Sequence, residues 1–196
     1  MDKNFSEYEN KTARMYRAAY RLLDRYSPID GDCGLMCSAA CCRQAAGRAE
    51  AEEEVDEEMG IYMLPGEELI HDKNDGWLTW SAESSAEYGF PESWDERFWF
   101  VKCSGPFECR RSMRPLQCRT FPLMPYISED GELMMIYNDD ELPYECPLIE
   151  EETPLNDDFV RATRTVWKHL LRDRRVRNMV EQDSELLREA AELDEY

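Results

Sequence analysis

The sequence predicts an α+β fold: a small antiparallel sheet and long loops around a cysteine-rich metal site, flanked by N- and C-terminal helices. Apolar residues recur at helical spacing near both ends, and the middle holds short aromatic and β-branched runs bounded by turn residues. Because 196 residues is an ordinary length for one domain, we expect a single domain over 1–196. Its parts are an N-terminal helix within 1–28, a cysteine-cluster core over 31–148 and C-terminal helices over 153–193.

The first predicted helix runs from Phe5 to Tyr26. Its apolar residues fall mostly three or four positions apart, which places them on one helix face. Asn4 or Ser6 is a suitable N-cap, and the Ser27-Pro28 pair stops the helix.

A strongly acidic stretch follows the first cysteines. Between Glu50 and Asp72 the chain has ten acidic residues and no Lys or Arg. The spacing is not that of an EF-hand calcium loop, so we interpret the stretch as a solvated helix face or loop.

Four segments in the middle predict strands: WLTW at 77–80, FWFVKC at 98–103, FPLMPYI at 121–127 and LMMIYN at 133–138. The last two are separated by the turn-like SEDG and predict a hairpin. Pro122 and Pro125 restrict its first strand to a sheet edge or make it irregular, because proline cannot donate to a strand ladder.

The C-terminal part predicts two helices. Thr153-Pro154 is a plausible start for the first, whose apolar stripe includes Phe159, Val166 and Leu170. The opposite face is basic, and we expect it to be solvated and paired with the acidic stretch; it carries Arg161, Arg164, Lys168, Arg172, Arg174, Arg175 and Arg177. Ser184–Leu193 predicts a short closing helix.

The overall charge restricts the partners. A formal net charge of -20 repels phosphate backbones and anionic lipid, so we expect neither nucleic acid nor a membrane surface as a partner. The opening residues lack a basic region followed by an apolar run, and no segment approaches the roughly 18 apolar residues of a spanning helix. These features predict a cytoplasmic protein.

The chemistry is expected at eight cysteines. They are Cys33, Cys37, Cys41, Cys42, Cys103, Cys109, Cys118 and Cys146. In a reducing cytosol such thiols favour metal binding or catalysis, whereas in a secreted chain they would favour four disulfides. The first four lie either on a helix that aligns residues 33, 37 and 41 or on a tight loop feeding a helix. Eight thiols can fill one four-ligand site with four left over, or two sites.

Thiolates bind zinc and also hold iron–sulfur clusters, so ligand type leaves the metal open. Arg114 and Arg119 lie close to Cys109 and Cys118 in the sequence, together with Arg110 and Arg111. Guanidinium groups there would offset thiolate charge and hydrogen-bond sulfur from outside the ligand shell. No C-x-x-C, H-E-x-x-H, G-x-S-x-G, P-loop or G-x-G-x-x-G motif is present. We interpret His71 and His169 as exposed or structural.

The cysteines and arginines follow one ordered pattern: a C-x3-C-x3-C-C group, later single cysteines, and R-P-x-x-C-R-x-x-P from Arg114 to Pro122. Cys146-Pro147 comes last. This pattern, over about 31–148, resembles the YkgJ-type cysteine-cluster family, described as a zinc- or iron-chelating domain. The family spaces its first group as C-x-x-C-x-x-C-C, so the ligand role is open between Cys41 and Cys42.

The resemblance implies a metal ion as the bound partner: zinc or iron, the latter also as an iron–sulfur cluster. Some relatives are flagellin lysine methylases, so a protein-modifying enzyme is one alternative, although no glycine-rich S-adenosylmethionine loop is recognisable here. A metal-delivery or interaction module with a protein partner is another. Whether the chain is an enzyme therefore stays open at this point.

Overall fold

The computed structural model describes residues 6–44, 60–138, 142 and 144–194. Its helices are α1 Glu7–Leu23, α2 Ala40–Gln44, α3 Leu116–Thr120, α4 Pro147–Glu150, α5 Asp157–Leu170 and α6 Arg174–Asp194. Its strands are β1 Ile61–Tyr62, β2 Leu78–Ser84, β3 Arg97–Cys103, β4 Leu123–Ile127 and β5 Leu133–Tyr137. Helices at both ends with antiparallel strands between them confirm the predicted α+β class.

Helix α1 begins with a capping box. The Ser6 hydroxyl accepts from the Glu9 amide at 3.2 Å, and the Glu9 carboxylate accepts from the Ser6 amide at 2.7 Å. The predicted cap at Ser6 is thus confirmed, while Asn4 and Phe5 lie outside the described residues. The helix ends at Leu23 rather than Tyr26, because the amide of Tyr26 bonds only three residues back, to Leu23, as the chain tightens toward Pro28.

The strands form two sheets instead of one. The three-stranded sheet has the order β1-β3-β2 and is antiparallel throughout, with Val101 of β3 between Ile61 and Trp80. Strand β1 was not predicted, because a two-residue strand leaves no alternation pattern in an acidic stretch.

The predicted hairpin is the second sheet, β4 with β5, in which Leu123 pairs with Tyr137 and Ile127 with Leu133. Pro125 lies within β4, which a two-stranded sheet tolerates because each of its strands is an edge.

The C-terminal predictions need two corrections. Helix α5 begins at Asp157 rather than at Thr153, because Asn156, its N-cap residue, has a non-helical ψ of 124°. Residues 184–193 are helical as predicted, but the predicted start at Ser184 was wrong, because they are the second half of α6, one helix of 21 residues. The Ser184 hydroxyl does not cap a helix: it donates to the Val180 carbonyl at 2.6 Å and accepts from the Ile127 amide at 2.9 Å, fastening α6 to β4.

The basic face is divided between α5 and α6. Arg175 pairs with Asp95 at 2.7 Å and with Asp173 at 2.9 Å, and Arg161 pairs with Asp158 on its own helix. None of these partners belongs to the acidic stretch predicted to pair with this face, most of which (50–59) lies outside the described residues.

The larger apolar core joins α1, α5 and α6 to the aromatic residues of β3 and the segment before it. Its buried members include Tyr16, Trp94, Phe98, Trp167 and Val180. A smaller core of Met63, Trp77, Leu78 and Val101 lies behind Cys103 and Cys109. Each buried large apolar side chain contributes about 1.5–3 kcal/mol to folding. No helix in the described ranges is long and apolar enough to cross a membrane.

Candidate metal centre

The first cysteine group lies on a loop that leads into a short helix. Asp32 caps a 3-10 helix at Cys33–Leu35 by accepting from the Gly34 amide at 3.1 Å. Ser38 and Ala39 then take left-handed conformations, with φ 50° and 58°, so no continuous helix spans residues 33–41. Of the two arrangements open from the sequence, the structure has the tight loop followed by a helix.

The remaining four cysteines come from three further places. Cys103 ends β3 and accepts from the Gly105 amide at 3.3 Å in a turn where Gly105 has φ 106°. Cys109 follows this turn, and Cys118 lies within α3. Cys146 is the N-cap residue of α4 and is buried. All eight cysteines are free thiols.

Arg114 is the basic residue in contact with sulfur. Its Nε donates to Cys109 Sγ at 3.3 Å. Burial would lower the pKa of Arg114, but the Cys109, Cys42 and Cys118 sulfurs outweigh it and raise that pKa. Arg114 therefore lies among cysteines from three separate segments.

The mutual electrostatic effects on the thiol pKa values indicate which cysteines lie near one another. Burial raises the pKa of Cys33, and the charges of Cys37 and Cys146 raise it further. These three cysteines form one neighbourhood. Burial likewise raises the pKa of Cys118, with added contributions from Cys42, Cys103 and Cys109. A second neighbourhood around Arg114 therefore consists of Cys42, Cys103, Cys109 and Cys118.

Cys41 joins the two neighbourhoods. Its Sγ lies 4.0 Å from Cys42 Sγ. The hydrogen bond between them raises the pKa of Cys41 and lowers that of Cys42, which also faces the charges of Arg114 and Arg111. Cys42 accepts this hydrogen bond and is the better thiolate of the pair.

An ion pair joins the two cysteine loops. Arg111 donates to both carboxylate oxygens of Asp32, at 2.7 and 3.3 Å, across 79 residues of sequence. Within the residues that the structure describes, however, no group of three or more His, Cys, Asp or Glu side chains is arranged as a metal site. The thiols are neighbours without surrounding a common point.

Arg119, the other predicted basic neighbour, faces away from sulfur. Its guanidinium pairs with Asp24 at 2.7 Å, lies 4.0 Å from the Tyr20 ring, and is almost fully buried. It also donates to the Arg114 and Arg111 carbonyls, at 2.7 and 3.2 Å. Arg119 therefore fixes the loop that carries Arg114 against α1.

Sequence reasoning missed a buried polar group beside this site. Glu67 is fully buried and accepts from Tyr20 Oη, the Leu116 amide and the Leu64 amide, at 2.5, 2.6 and 3.1 Å. Tyr20 Oη also lies 3.0 Å from Nε2 of His71. Since Tyr20 gives its one proton to Glu67, the imidazole donates through Nε2. No sequence signal distinguished Glu67 from the surrounding acidic residues.

His71 is buried, and His169 is exposed. A second missed residue is Tyr144, whose pKa is raised by burial and by the charges of Cys41 and Cys146. It lies beside the sulfurs, two residues before Cys146 in the sequence.

Comparison with known proteins adds no relative. No protein-family model, no curated protein and no solved structure matches this chain. The resemblance to the YkgJ-type family therefore depends on the cysteine and arginine pattern alone.

Proposed function

We propose that this protein binds a transition metal through its cysteines, as zinc or as iron, the iron either as single ions or as an iron–sulfur cluster. One observation carries the proposal. Eight free cysteines come from four separate stretches of the chain, and the charges of Cys42, Cys109 and Cys118, from three of these stretches, act on Arg114. Free cysteines grouped in this way are typical of thiolate metal sites.

The separation of Cys41 and Cys42 suits a shared metal. In a tetrahedral site with zinc–sulfur bonds of about 2.3 Å, two sulfurs lie about 3.8 Å apart. The two Sγ atoms are 4.0 Å apart here. Metal binding would displace the remaining proton, since a coordinating thiol is deprotonated.

The basic residues supply charge compensation. Four thiolates around a divalent ion leave two net negative charges, which are costly to bury without a partner. Arg114 is half-buried and already bonded to Cys109 Sγ. Its guanidinium can offset the charge and orient this sulfur, as groups outside the ligand shell do in other metal sites.

The first test is elemental analysis with an absorption spectrum on full-length protein purified without oxygen. We expect about one or two metal ions per chain. Colourless zinc protein supports a thiolate zinc site, and iron with acid-labile sulfide and a broad visible band supports a cluster. Metal-free protein that does not bind added zinc or iron would contradict the proposal.

Two triple variants test the cysteine assignment. One replaces Cys33, Cys37 and Cys146 with serine, and the other replaces Cys103, Cys109 and Cys118. A single shared centre predicts that either variant loses all metal, whereas two centres predict that each loses about half. The control is His71→Gln, which removes the one buried imidazole in the described residues and should keep full metal content. Unchanged metal in both triple variants would refute the assignment.

A second candidate function is an enzyme. It is favoured by an open recess of about 440 Å³ on the chain segment that carries Cys103 and Cys109. It is lined by Asp75, Gly76, Trp77, Ser104, Glu108 and Arg110. Two of these residues, Ser104 and Glu108, adjoin Cys103 and Cys109 in the sequence. If azide changes the visible spectrum of cobalt-substituted protein, the metal has an open position and catalysis is favoured. If a competing chelator instead removes the metal within seconds, delivery to a partner is favoured.

A further inference from the structure

The two edges of the β4–β5 hairpin differ in what covers them. In an antiparallel pair, alternate residues point their backbone N–H and C=O groups away from the partner strand. The Ser128 amide bonds the Glu132 carbonyl next to the turn, and the Asn138 amide bonds the Pro122 carbonyl at the open end. These bonds fix the alternation, so the odd-numbered residues of β4 and β5 point their backbone groups outward.

Helix α6 covers the β4 edge beside the turn. Ile127 donates its outward amide to Ser184 Oγ at 2.9 Å, and its carbonyl accepts from Arg188 at 2.8 Å. Pro125, the next outward residue, has no N–H to leave without a partner. A further strand therefore could not pair with β4 at these residues.

The β5 edge is open beyond its first residue. The Leu133 carbonyl accepts from Arg164 Nε at 3.2 Å. Within the described part of the chain, the outward backbone groups of Met135 and Tyr137 have no hydrogen-bond partner. Strand β5 also contains none of the charged residues or prolines that protect edge strands from pairing. It therefore offers donors and acceptors at the spacing of a strand.

The outer face of the hairpin is apolar as well. Leu133 and Met135 lie on the inner face and pack against the larger core. The opposite face is formed by two residues of each strand: Met124, Tyr126, Met134 and Ile136. Met134 is 48% exposed, and the other three are partly exposed. Because the solvated face of an antiparallel sheet usually carries polar side chains, this apolar face is suited to contact with another chain.

An extended peptide segment fits the edge and the outer face together. Laid along β5, it would exchange backbone hydrogen bonds with Met135 and Tyr137. Since side chains alternate along a strand, every second residue of the segment would lie on the outer face beside Met134 and Ile136. Those positions of the segment should be apolar. A helix docked here would leave the outward backbone groups of β5 without partners, because its own backbone groups are bonded within it.

The charge around β5 determines the ends of the segment. Acidic residues flank the strand in the sequence, namely Glu129, Asp130 and Glu132 before it and Asp139, Asp140 and Glu141 after it. Fewer cations bond the hairpin backbone: among the described residues these are Arg164 and Arg188. Basic residues at the ends of the segment are therefore favoured. A second copy of this chain is disfavoured as the occupant, because each copy carries a net charge of -20.

We propose that the β5 edge binds an extended segment of a partner protein by strand addition, the segment having alternate apolar residues in its centre and basic residues at its ends. The backbone groups of Met135 and Tyr137 supply the pairing, the outer face selects the apolar side chains, and the flanking carboxylates select the basic ends. The proposal is independent of the metal function, since β5 carries no cysteine.

The test is a fluorescence anisotropy titration of the full-length protein against a labelled peptide, Lys-Lys-Val-Thr-Val-Thr-Val-Lys-Lys. We expect saturable binding with a dissociation constant on the order of 0.1 mM. A matched peptide with proline in place of the central valine should bind about tenfold more weakly or not at all, because proline removes a donor from the ladder. A peptide with glutamate in place of every lysine should also bind at least about tenfold more weakly.

Amide hydrogen exchange locates the peptide. In the free protein, the outward amides of Met135 and Tyr137 should exchange quickly, whereas those of Met134 and Ile136, which are paired with β4, should exchange slowly. Added peptide should slow the exchange of Met135 and Tyr137.

A pair of surface variants supplies the second check. Met134→Lys adds a charge to the outer face and should weaken peptide binding about tenfold. Leu186→Lys, the matched control, adds the same charge to an exposed apolar position of α6 and should bind as the wild type does. The proposal is overturned if no peptide binds, if the proline peptide binds equally well, or if the Met135 and Tyr137 amides already exchange slowly in the free protein. A dimer in light scattering that Met134→Lys dissociates would also overturn it, because a second copy would then occupy the edge.

Discussion

Glu67 provides the sharpest test of how this chain is held together. A fully buried carboxylate accepts three hydrogen bonds, from α1 through Tyr20, from the start of α3 through the Leu116 amide, and from the Leu64 amide. Burial raises the pKa of Glu67, while these donors and Arg119 act in the opposite direction. Replacing Glu67 with alanine removes the acceptor and leaves the donors in place.

The expected cost follows from the number of donors left without a partner. An unsatisfied buried donor costs about 1–3 kcal/mol. The Leu64 and Leu116 amides are fixed by the backbone and cannot turn to water, whereas Tyr20 Oη can still interact with His71. Counting the two amides alone, Glu67→Ala should lower the free energy of unfolding by about 2–6 kcal/mol, a large share of the roughly 5–15 kcal/mol of a typical domain.

Urea unfolding followed by tryptophan fluorescence measures this loss. Glu67→Gln should fall between wild type and alanine, because the amide oxygen can accept from Leu116 and Tyr20 while its NH₂ group faces the Leu64 amide. Glu87→Ala, an exposed matched control, should stay within about 0.5 kcal/mol of wild type. A loss below about 1 kcal/mol for Glu67→Ala would show that these hydrogen bonds do not hold α1 to α3.

Three further changes test neighbouring features by the same unfolding assay. Burial, followed by the charge of Arg119, lowers the pKa of His71 from 6.5 to about 4. The free energy of unfolding of the wild type should therefore fall by about 3 kcal/mol as the pH is lowered from 6.5 to 4. His71→Gln should flatten this decline, whereas the exposed control His169→Gln should not. Gly66→Ala should lower the free energy of unfolding more than Gly76→Ala does. Both glycines have positive φ, but of the two only an added Cβ at residue 66 meets another side chain, at 2.4 Å. Equal losses would refute the clash. Arg119→Lys should cost about 2–4 kcal/mol, since an ammonium cannot make the four bonds of the buried guanidinium; a loss under about 0.5 kcal/mol would contradict this role.

Periodicity was informative for the first helix and for the hairpin. The helix from Glu7 to Leu23 and the hairpin around Ser128–Gly131 follow directly from spacing and turn residues, because their buried faces are read from the chain itself. Strand β1 is two residues long and could not be seen. The error at Ser184 has another cause: a residue type typical of helix ends lies inside α6, where its hydroxyl binds the Ile127 amide. Only this tertiary hydrogen bond explains why a serine lies inside the helix.

The contacts of the candidate cysteine site were only partly predictable from the sequence. Residue type and spacing identify thiols that belong together, and Arg114 is next to sulfur as the charge argument requires. Spacing cannot reveal which way a guanidinium turns, and Arg119, one residue after Cys118, turns to α1 and Asp24. Glu67 was hidden because one buried carboxylate among ten acidic residues has no distinguishing pattern.

These contacts determine how the cysteines depend on the rest of the fold. Cys118 lies on α3. Glu67 accepts from the amide of Leu116, the first residue of this helix, and Arg119 within the helix pairs with Asp24 at the end of α1. Because Leu116 belongs to the larger apolar core, the core fixes the position of Cys118. The exposed Asp32–Arg111 pair links the loop that carries Cys33 and Cys37 to this region. Exposed ion pairs contribute at most about 1 kcal/mol. A bound metal would therefore gain most of its folding effect by ordering the first loop against a cysteine that the core already positions.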